Sequence, residues 1–340
     1  DRKRLLQLCH LAFVTVALYF AISITTEMLR WHYVVTGLLG VISAFYLPAK
    51  LAIIPQLVGR GRAAAAIAVA ALGSSIGFVF LVVPELLWLV VGELQGFADV
   101  GENSLLLFTA VGLSILALAA ITSLRSSLPV GPRATTSVTS DIWAGIRFIW
   151  DNKPLPLLLT TLVLFQATYA GLSTQLPSAM HFHNHSHATF DVLLVMMQIG
   201  YIAGILITAG LLAVLPEGKR GRVFLSAGLL TGLGLVLLTA AISNYPATLI
   251  IILFTGLGAG GFITLATVLA MGLTEPRYHG RVASVLMICF VLPAVLGTMV
   301  LGIFIDTVDE LAFGVMGMPL ILFLLVLFIT PIGRRLRQLR

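Results

Sequence analysis

Charged side chains are scarce in this sequence: they make up 10% of its 340 residues, whereas 59% of the residues are hydrophobic. Soluble domains carry about 25% charged residues, so this chain has too few charges to cover a globular protein in water. Cysteine is also scarce, and Cys9 and Cys289 both lie inside apolar segments. The sequence therefore predicts no disulfide framework, no cysteine-based metal site and no cofactor, and both cysteines are interpreted as small packing residues.

The apolar runs lack the period-two alternation that is typical of membrane β-barrels. A run of about 20 apolar residues crosses the ~30 Å hydrocarbon core as an α-helix, which satisfies its own backbone groups in lipid. We therefore predict an all-α fold, a polytopic bundle in the lipid bilayer. The predicted spans are ten in number: 5–24, 31–56, 63–83, 104–123, 155–175, 190–215, 223–242, 248–273, 283–305 and 313–332.

The basic residues predict the orientation of this bundle. With both termini in the cytoplasm, all of the 20 lysines and arginines except Arg30 and Lys50 fall in cytoplasmic segments, as the positive-inside rule requires. The net charge of +6 is thus explained by membrane topology, and we expect no nucleic acid partner.

A Ser/Thr/Pro/Gly-rich stretch divides the spans into two groups. We predict a partial N-terminal half over 1–123 with four spans, a cytoplasmic linker over 124–153, and a C-terminal half over 154–340 with six spans. The linker ends in an amphipathic helix, capped by Ser140 or Asp141, that is expected to lie along the membrane interface. Ile142, Ile146 and Ile149 share one of its faces, with Trp143 and Trp150 near the same stripe.

Short basic loops recur in the two halves. Asp1-Arg-Lys-Arg4 and Glu217-Gly-Lys-Arg220 each open a span, and Gly61-Arg62 and Gly280-Arg281 occupy matching loops one span later. This register indicates two parallel repeats, as in many transporters. The second half has two spans before its Glu217 loop and the first half has none, so we expect a chain that begins just after its second helix.

Several segments resemble one branch of a known transporter family. They are Tyr46-Leu-Pro-Ala-Lys-Leu-Ala-Ile-Ile-Pro-Gln-Leu-Val58, Gln175-Leu-Pro177 with Phe190-Asp-Val-Leu-Leu194, Thr274-Glu-Pro-Arg-Tyr-His-Gly-Arg-Val282 and Asp1-Arg-Lys-Arg4. They are similar to the enterobactin-exporter-like branch of the major facilitator superfamily. The resemblance implies a major facilitator fold with twelve helices, ten of them visible here. It also implies a location in the bacterial inner membrane, a monomeric state, alternating access, and proton-driven export of small amphipathic molecules such as siderophores, antibiotics or drugs.

Polar side chains at helical spacing within the spans are candidates for a small-molecule cavity, because ionisable groups that face lipid are costly. Lys50 is the charged residue placed within a span, and it either engages a substrate or gating carboxylate or extends its amine to the cytoplasmic interface. The other stripes either line the cavity or form hydrogen bonds between helices. The predicted cavity residues are Thr36, Ser43, Tyr46, Lys50, Gln166, Tyr169, Ser173, Gln198 and Tyr201.

Charged residues near the helix ends are candidates for gating and coupling. Glu85 and Asp191 are candidates for proton exchange if they are partly buried, or else they are solvated helix-end residues. In the cytoplasmic loops, basic residues either form charge networks that stabilise one conformation or anchor the topology. The predicted gating residues are Arg2, Arg4, Arg62, Arg220, Gly280 and Arg281.

Four histidines alternate in the outer loop between the fifth and sixth spans. Such spacing places four imidazoles on one side of an extended strand, a weak candidate for a metal site or a pH sensor; these residues are His181, His183, His185 and His187. No His-Glu-x-x-His motif occurs, and no Gly-x-Ser-x-Gly stands in the context of a catalytic triad, so we expect no enzyme and keep an intramembrane metal-dependent enzyme only as a remote alternative. A truncated remnant without transport activity is the other alternative.

Overall fold

The computed structural model describes residues 2–25, 30–58, 66–71, 73, 102–123, 138–172, 174–176, 187–275, 278–308 and 311–337. Within these residues the chain is helical throughout apart from short turns. The α-helices, numbered in chain order, are α1 Arg2–Thr25, α2 Arg30–Val58, α3 Glu102–Ser123, α4 Val138–Asp151, α5 Pro154–Tyr169, α6 His187–Val214, α7 Arg220–Ala241, α8 Tyr245–Gly272, α9 His279–Val308, α10 Leu311–Ile329 and α11 Arg334–Arg337.

Six helical segments among the described residues are long and apolar enough to cross a membrane. They confirm the six predicted spans after the linker and shift their ends by a few residues, since capping and proline positions set the boundaries. For example, Pro154 stands at the start of α5, and Asn244 caps α8 by accepting a hydrogen bond from the backbone N–H of Ala247 at 3.3 Å. The spans are Pro154–Leu176, Val192–Val214, Arg220–Ala241, Tyr245–Gly272, His279–Ile305 and Leu311–Ile329.

Helices α1, α2 and α3 contain the predicted spans 5–24, 31–56 and 104–123, while only part of the predicted span 63–83 is described. Shorter apolar stretches lie at Gly40–Leu51 and Val111–Ser123. Helix α1 packs against both α2 and α3. At its first turn, the Lys3 amine donates a hydrogen bond to the Thr122 carbonyl near the end of α3, at 3.3 Å. The total of ten spans stays a prediction.

Helix α8 packs against both α6 and α7. Gly200 and Gly204 of α6 face Gly256 and Gly260 of α8, and a Cβ atom on any of the four would collide with the backbone of the other helix. Helices in lipid gain little from burying apolar surface, so close backbone contact at small residues stabilises such a pair. The sequence analysis did not identify this double Gly-xxx-Gly contact.

Aromatic rings fill the core beside α8. Phe262 of α8 stacks on Phe165 of α5, with centroids 3.9 Å apart, and on Phe224 of α7 at 4.4 Å. All three side chains are fully buried. The same apolar cluster includes Leu51 of α2 and Leu286 of α9, so the core extends across the linker and joins helices that precede it to helices that follow it.

Helix α4 begins at Val138, so Ser140 and Asp141 lie inside the helix and the predicted cap is wrong. The predicted face is also corrected. Ile149 is buried in the core, whereas Trp143 and Trp150 are exposed. Helix α4 packs against α9, and Ile149 lies in the core, while Trp143 and Trp150 stay outside it.

Candidate functional site

Tyr46 and Lys50 lie one turn apart on α2 and form a polar cluster with α1. The Lys50 amine is 5.9 Å from the centroid of the Tyr46 ring and donates a hydrogen bond to the Ala70 carbonyl at 3.4 Å. His10 and Phe13 of α1 approach the same ring edge-on, with centroid distances of 5.0 and 5.8 Å. Ser43 is half-buried one turn earlier on α2. The structure thus brings together three residues of the predicted stripe.

His10 is a residue of this cluster that the sequence analysis missed. Its side chain is only 7% exposed, and its Nδ1 atom has no hydrogen-bond partner among the described residues. An ionisable side chain inside a predicted span is itself a signal of a functional site, and that signal could have identified His10.

A second polar group lies on α5 and α6. Gln166 is buried, and its Nε2 atom donates a hydrogen bond to the Phe290 carbonyl of α9 at 3.2 Å. Its Oε1 atom is buried without a partner in the described part of the chain. Tyr169 and Tyr201 are half-buried against the same apolar cluster, and Gln198 is half-buried one turn before Tyr201. The predicted stripes of α5 and α6 therefore converge on one core.

The loop between α8 and α9 is held by α4. Arg281 lies over the Tyr278 ring, 5.5 Å from its centroid, and Tyr278 stacks on Phe148 of α4 at 4.3 Å. The Asn152 side chain donates a hydrogen bond to the Leu273 carbonyl at 3.0 Å. Gly145 allows α4 to approach Arg281 closely, since a Cβ there would meet the Arg281 side chain. Gly280 is in the first turn of α9.

Arg4 and Arg220, two of the remaining predicted gating residues, lie near helix starts. Arg4 lines a groove of about 280 Å³ between α1 and α3, and Arg220 is half-buried at the first residue of α7. The backbones of Arg2, Thr36, Asp191 and His187 belong to α1, α2 and α6, but their side chains are outside the described residues. Also outside them are Arg62, Glu85, Ser173, His181, His183 and His185. In the part of the chain that is described, no three His, Cys, Asp or Glu side chains form a group suited to a metal ion.

The helical spans among the described residues define the class: a multi-pass α-helical membrane protein. The sequence pattern of the Major Facilitator Superfamily matches residues 1–298 and 176–339. The chain therefore belongs to the Major Facilitator Superfamily. Members of this family are transporters and not enzymes.

Solved structures share the fold. The human organic anion transporter MFSD10 (TETRAN) superposes with a TM-score of 0.76 at 17% identity, over 96% of this chain and 77% of that protein. The E. coli fucose:proton symporter FucP gives a TM-score of 0.66 at 11% identity, over 95% and 83% of the two chains. FucP in the outward conformation gives a TM-score of 0.66 at 14% identity, over 95% of this chain and 82% of that protein. No curated protein sequence matches this chain significantly.

Proposed function

We propose that this protein is a proton-coupled exporter of small amphipathic compounds, such as siderophores, antibiotics or drug-like molecules. The observation that carries the proposal is the pair of polar clusters inside an otherwise apolar bundle: His10, Tyr46 and Lys50 on one side, and Gln166, Tyr169 and Tyr201 on the other. Both combine aromatic rings with a few hydrogen-bonding groups, a composition suited to amphipathic ligands.

The organisation that we propose has two helical halves, 1–123 and 154–340, joined by the linker 124–153. The chain is placed in the enterobactin-exporter-like branch and in the bacterial inner membrane, as a monomer with both termini in the cytoplasm. Two groups of helices that contact each other across a linker can rock about a central site, which is how many secondary transporters achieve alternating access. Helix α2 packs against α9, and Leu51 lies in the same buried cluster as Val282 and Leu286, which supports this arrangement.

Roles for the charged residues follow from their positions. Lys50 is proposed to bind an anionic group of the substrate or of a gate. The Tyr46 ring and the Ala70 carbonyl hold its amine inside the bundle, where such a group could reach it. Arg281 is proposed as a gating residue, with its guanidinium positioned by Tyr278. Glu85 and Asp191 remain proposed sites of proton exchange.

The test is accumulation of ethidium, a panel of antibiotics and a catecholate siderophore in bacterial cells that lack their own efflux pumps. Cells producing the protein should accumulate at least one of these compounds less than control cells do, and a protonophore should abolish the difference. Lys50→Met should lose the effect, whereas Arg335→Gln, an exposed position in the last helix, should keep it. Higher accumulation would indicate uptake, and unchanged accumulation with the protein present in the membrane would favour the inactive remnant.

A further inference from the structure

A groove lies between α1 and α3 and combines a charged end with an apolar length. Its volume is about 280 Å³, and its lining residues are Arg4, Gln7, Leu8 and Leu11 of α1 with Leu118 of α3. The four residues of α1 follow the i, i+3, i+4, i+7 spacing of a single helical face. The cation and the leucines therefore belong to one continuous surface.

The opposite face of α1 is occupied by α2. Leu6 is buried in a cluster with residues of α2, and His10 packs edge-on against the Tyr46 ring. At 3.6 residues per turn, Leu6 and His10 lie on the other side of the helix from Arg4 and Leu8. The groove is therefore on a face of α1 that α2 does not cover.

The apolar part of the groove is open among the described helices. Leu8 is 63% exposed and Leu11 is 54% exposed, while Leu118 is half-buried in the apolar stretch Val111–Ser123 of α3. At 1.5 Å per residue, the helix rises about 10 Å from Arg4 to Leu11. Apolar surface of this length is suited to part of an acyl chain.

The end of the groove at the start of α1 is positively charged. Arg4 is exposed there and directly precedes the predicted span 5–24, which places it at the depth of the lipid headgroups. The Lys3 amine donates to the Thr122 carbonyl at 3.3 Å and so offsets the partial negative charge at the end of α3. None of the described residues that line the groove is acidic. This end of the groove therefore attracts an anion.

We propose that the groove binds an anionic phospholipid, with its phosphate at Arg4 and one acyl chain along the three leucines. A guanidinium group binds phosphate oxygens through paired hydrogen bonds, and the Gln7 amide can donate to a glycerol ester. Pockets of about 300–1,000 Å³ enclose most of a drug-sized ligand. A groove at the lower limit of this range holds one chain and leaves the second chain in the bilayer.

The chemistry of the two ends separates this ligand from simpler ones. A neutral phospholipid gains the apolar contact but lacks the net charge that Arg4 attracts, and a free phosphate gains only the contact at Arg4. Basic sites between membrane helices favour anionic headgroups for the same reason. The site lies on the outside of the helix pair, and its existence does not depend on the proposed export activity.

The experiment measures lipid binding to the purified full chain in a neutral detergent. Short-chain dioctanoyl phosphatidylglycerol is titrated, and its dissociation constant is taken from the rise in unfolding temperature. Dioctanoyl phosphatidylcholine tests the charge of the headgroup, and glycerol phosphate tests an anion without chains. We expect phosphatidylglycerol to bind about fivefold more tightly than phosphatidylcholine, the factor for one basic residue beside an anionic lipid. Glycerol phosphate at the same concentrations should not raise the unfolding temperature.

Two variants test the two ends of the groove. Arg4→Gln should abolish the preference for phosphatidylglycerol, and Leu8→Trp should weaken the binding of both lipids because the indole fills the groove. The matched controls are Arg335→Gln, at an exposed arginine in the last helix, and Leu116→Trp, at an exposed leucine of α3 outside the lining. Both controls should bind like the wild type, and circular dichroism ensures that every variant keeps its helical content.

Several results would overturn the proposal. Equal affinity for the two lipids, or a preference that survives Arg4→Gln, would show that the phosphate is not bound at Arg4. Glycerol phosphate that binds as tightly as phosphatidylglycerol would define an anion site without an acyl chain, and unchanged affinity in Leu8→Trp would place the lipid elsewhere. A dimer that Leu8→Trp dissociates would show that a second copy of the chain covers the groove.

Discussion

Lys50 combines two contacts inside the bundle, one to the Tyr46 ring and one to the Ala70 carbonyl. A lysine that only anchors topology extends its amine into water and gains little from such partners. A half-buried ammonium loses part of its hydration, and an apolar side chain of similar volume does not carry that desolvation cost. Stability and transport should therefore respond in opposite ways at this position.

The prediction for Lys50→Met is an unchanged or higher unfolding temperature in detergent, together with a loss of export of about tenfold or more. A tenfold loss corresponds to about 1.4 kcal/mol of lost interaction. Lys219→Met, at an exposed position before α7, is the matched control and should leave both quantities unchanged. If Lys50→Met exports at the wild-type rate, the proposed binding role is contradicted, and Lys50 only extends its amine to the cytoplasmic interface.

Gln166 is the second residue with a specific contact. Its side chain donates a hydrogen bond to the Phe290 carbonyl, one turn before Pro293 inside α9. Proline supplies no N–H to the carbonyl four residues earlier, which is that of Cys289, and its ring disturbs the turn that also contains the Phe290 carbonyl. In membrane helices such loosened carbonyls are satisfied by side chains of neighbouring helices.

Replacing Gln166 with leucine should lower the free energy of unfolding by about 0.6 kcal/mol, the average measured for hydrogen bonds between membrane helices, and by at most about 1.7 kcal/mol. Gln166→Met keeps the length of the side chain and removes the amide donor, so it should destabilise as well. The measurement is chemical or thermal unfolding in detergent micelles. An unchanged stability for both variants would show that the carbonyl finds another partner.

At the scale of helices, the α6–α8 contact depends on glycine at four positions. A Cβ on Gly204 would collide with the Leu257 carbonyl of α8, whereas a Cβ on Gly210 of the same helix would meet nothing within 4 Å. Replacing glycine with alanine inside a helix is otherwise favourable by about 0.8–1.0 kcal/mol. Comparing alanine substitutions at these two positions therefore distinguishes the effect of helix propensity from the effect of helix packing.

We predict that Gly204→Ala lowers the unfolding free energy by about 1–3 kcal/mol, the usual cost of overpacking. Gly210→Ala should leave it unchanged or raise it. Thermal unfolding followed by circular dichroism compares the two variants directly. Equal behaviour of the pair would mean that α6 and α8 are less closely packed than the structure shows.

At the scale of the whole molecule, the apolar cluster that contains Leu51, Leu286 and Val282 joins α2 to α9. Alternating access requires that helices before and after the linker separate at one side of the membrane. A polar side chain buried in this cluster without a partner costs about 1–3 kcal/mol, which would favour separation.

The prediction for Leu51→Asn is faster reaction of Cys289 with a maleimide, because Cys289 packs against the same cluster. The experiment uses a Cys9→Ser background so that one thiol remains. A cost near 1.4 kcal/mol would raise the labelling rate about tenfold. Leu8→Asn, at an exposed position of α1, should not change the rate, and equal rates in both variants would contradict a closed contact at α2 and α9.

Much of the fold could be predicted from composition. The runs that cross the bilayer must be helical because no other open chain satisfies its backbone in lipid, and the six spans after the linker follow from apolar length alone. Stripes such as Tyr46 with Lys50, or Gln166 with Tyr169, follow from helical periodicity. These features depend on residues that are close in sequence, so they can be predicted without the structure.

Local sequence patterns are enough to predict a bundle of apolar helices, the position of most of these helices, and the helix faces that carry polar groups. The contacts between helices add that His10 packs on Tyr46, that Gln166 donates a hydrogen bond to α9, and that Trp143 and Trp150 stay exposed while Ile149 is buried. Helix formation depends on residues three or four positions apart. Contacts between helices depend on how each helix is rotated and shifted along its axis relative to its neighbour. Small residues such as Gly204 and Gly256 set this arrangement by allowing close backbone approach, and no pattern within a single helix encodes it.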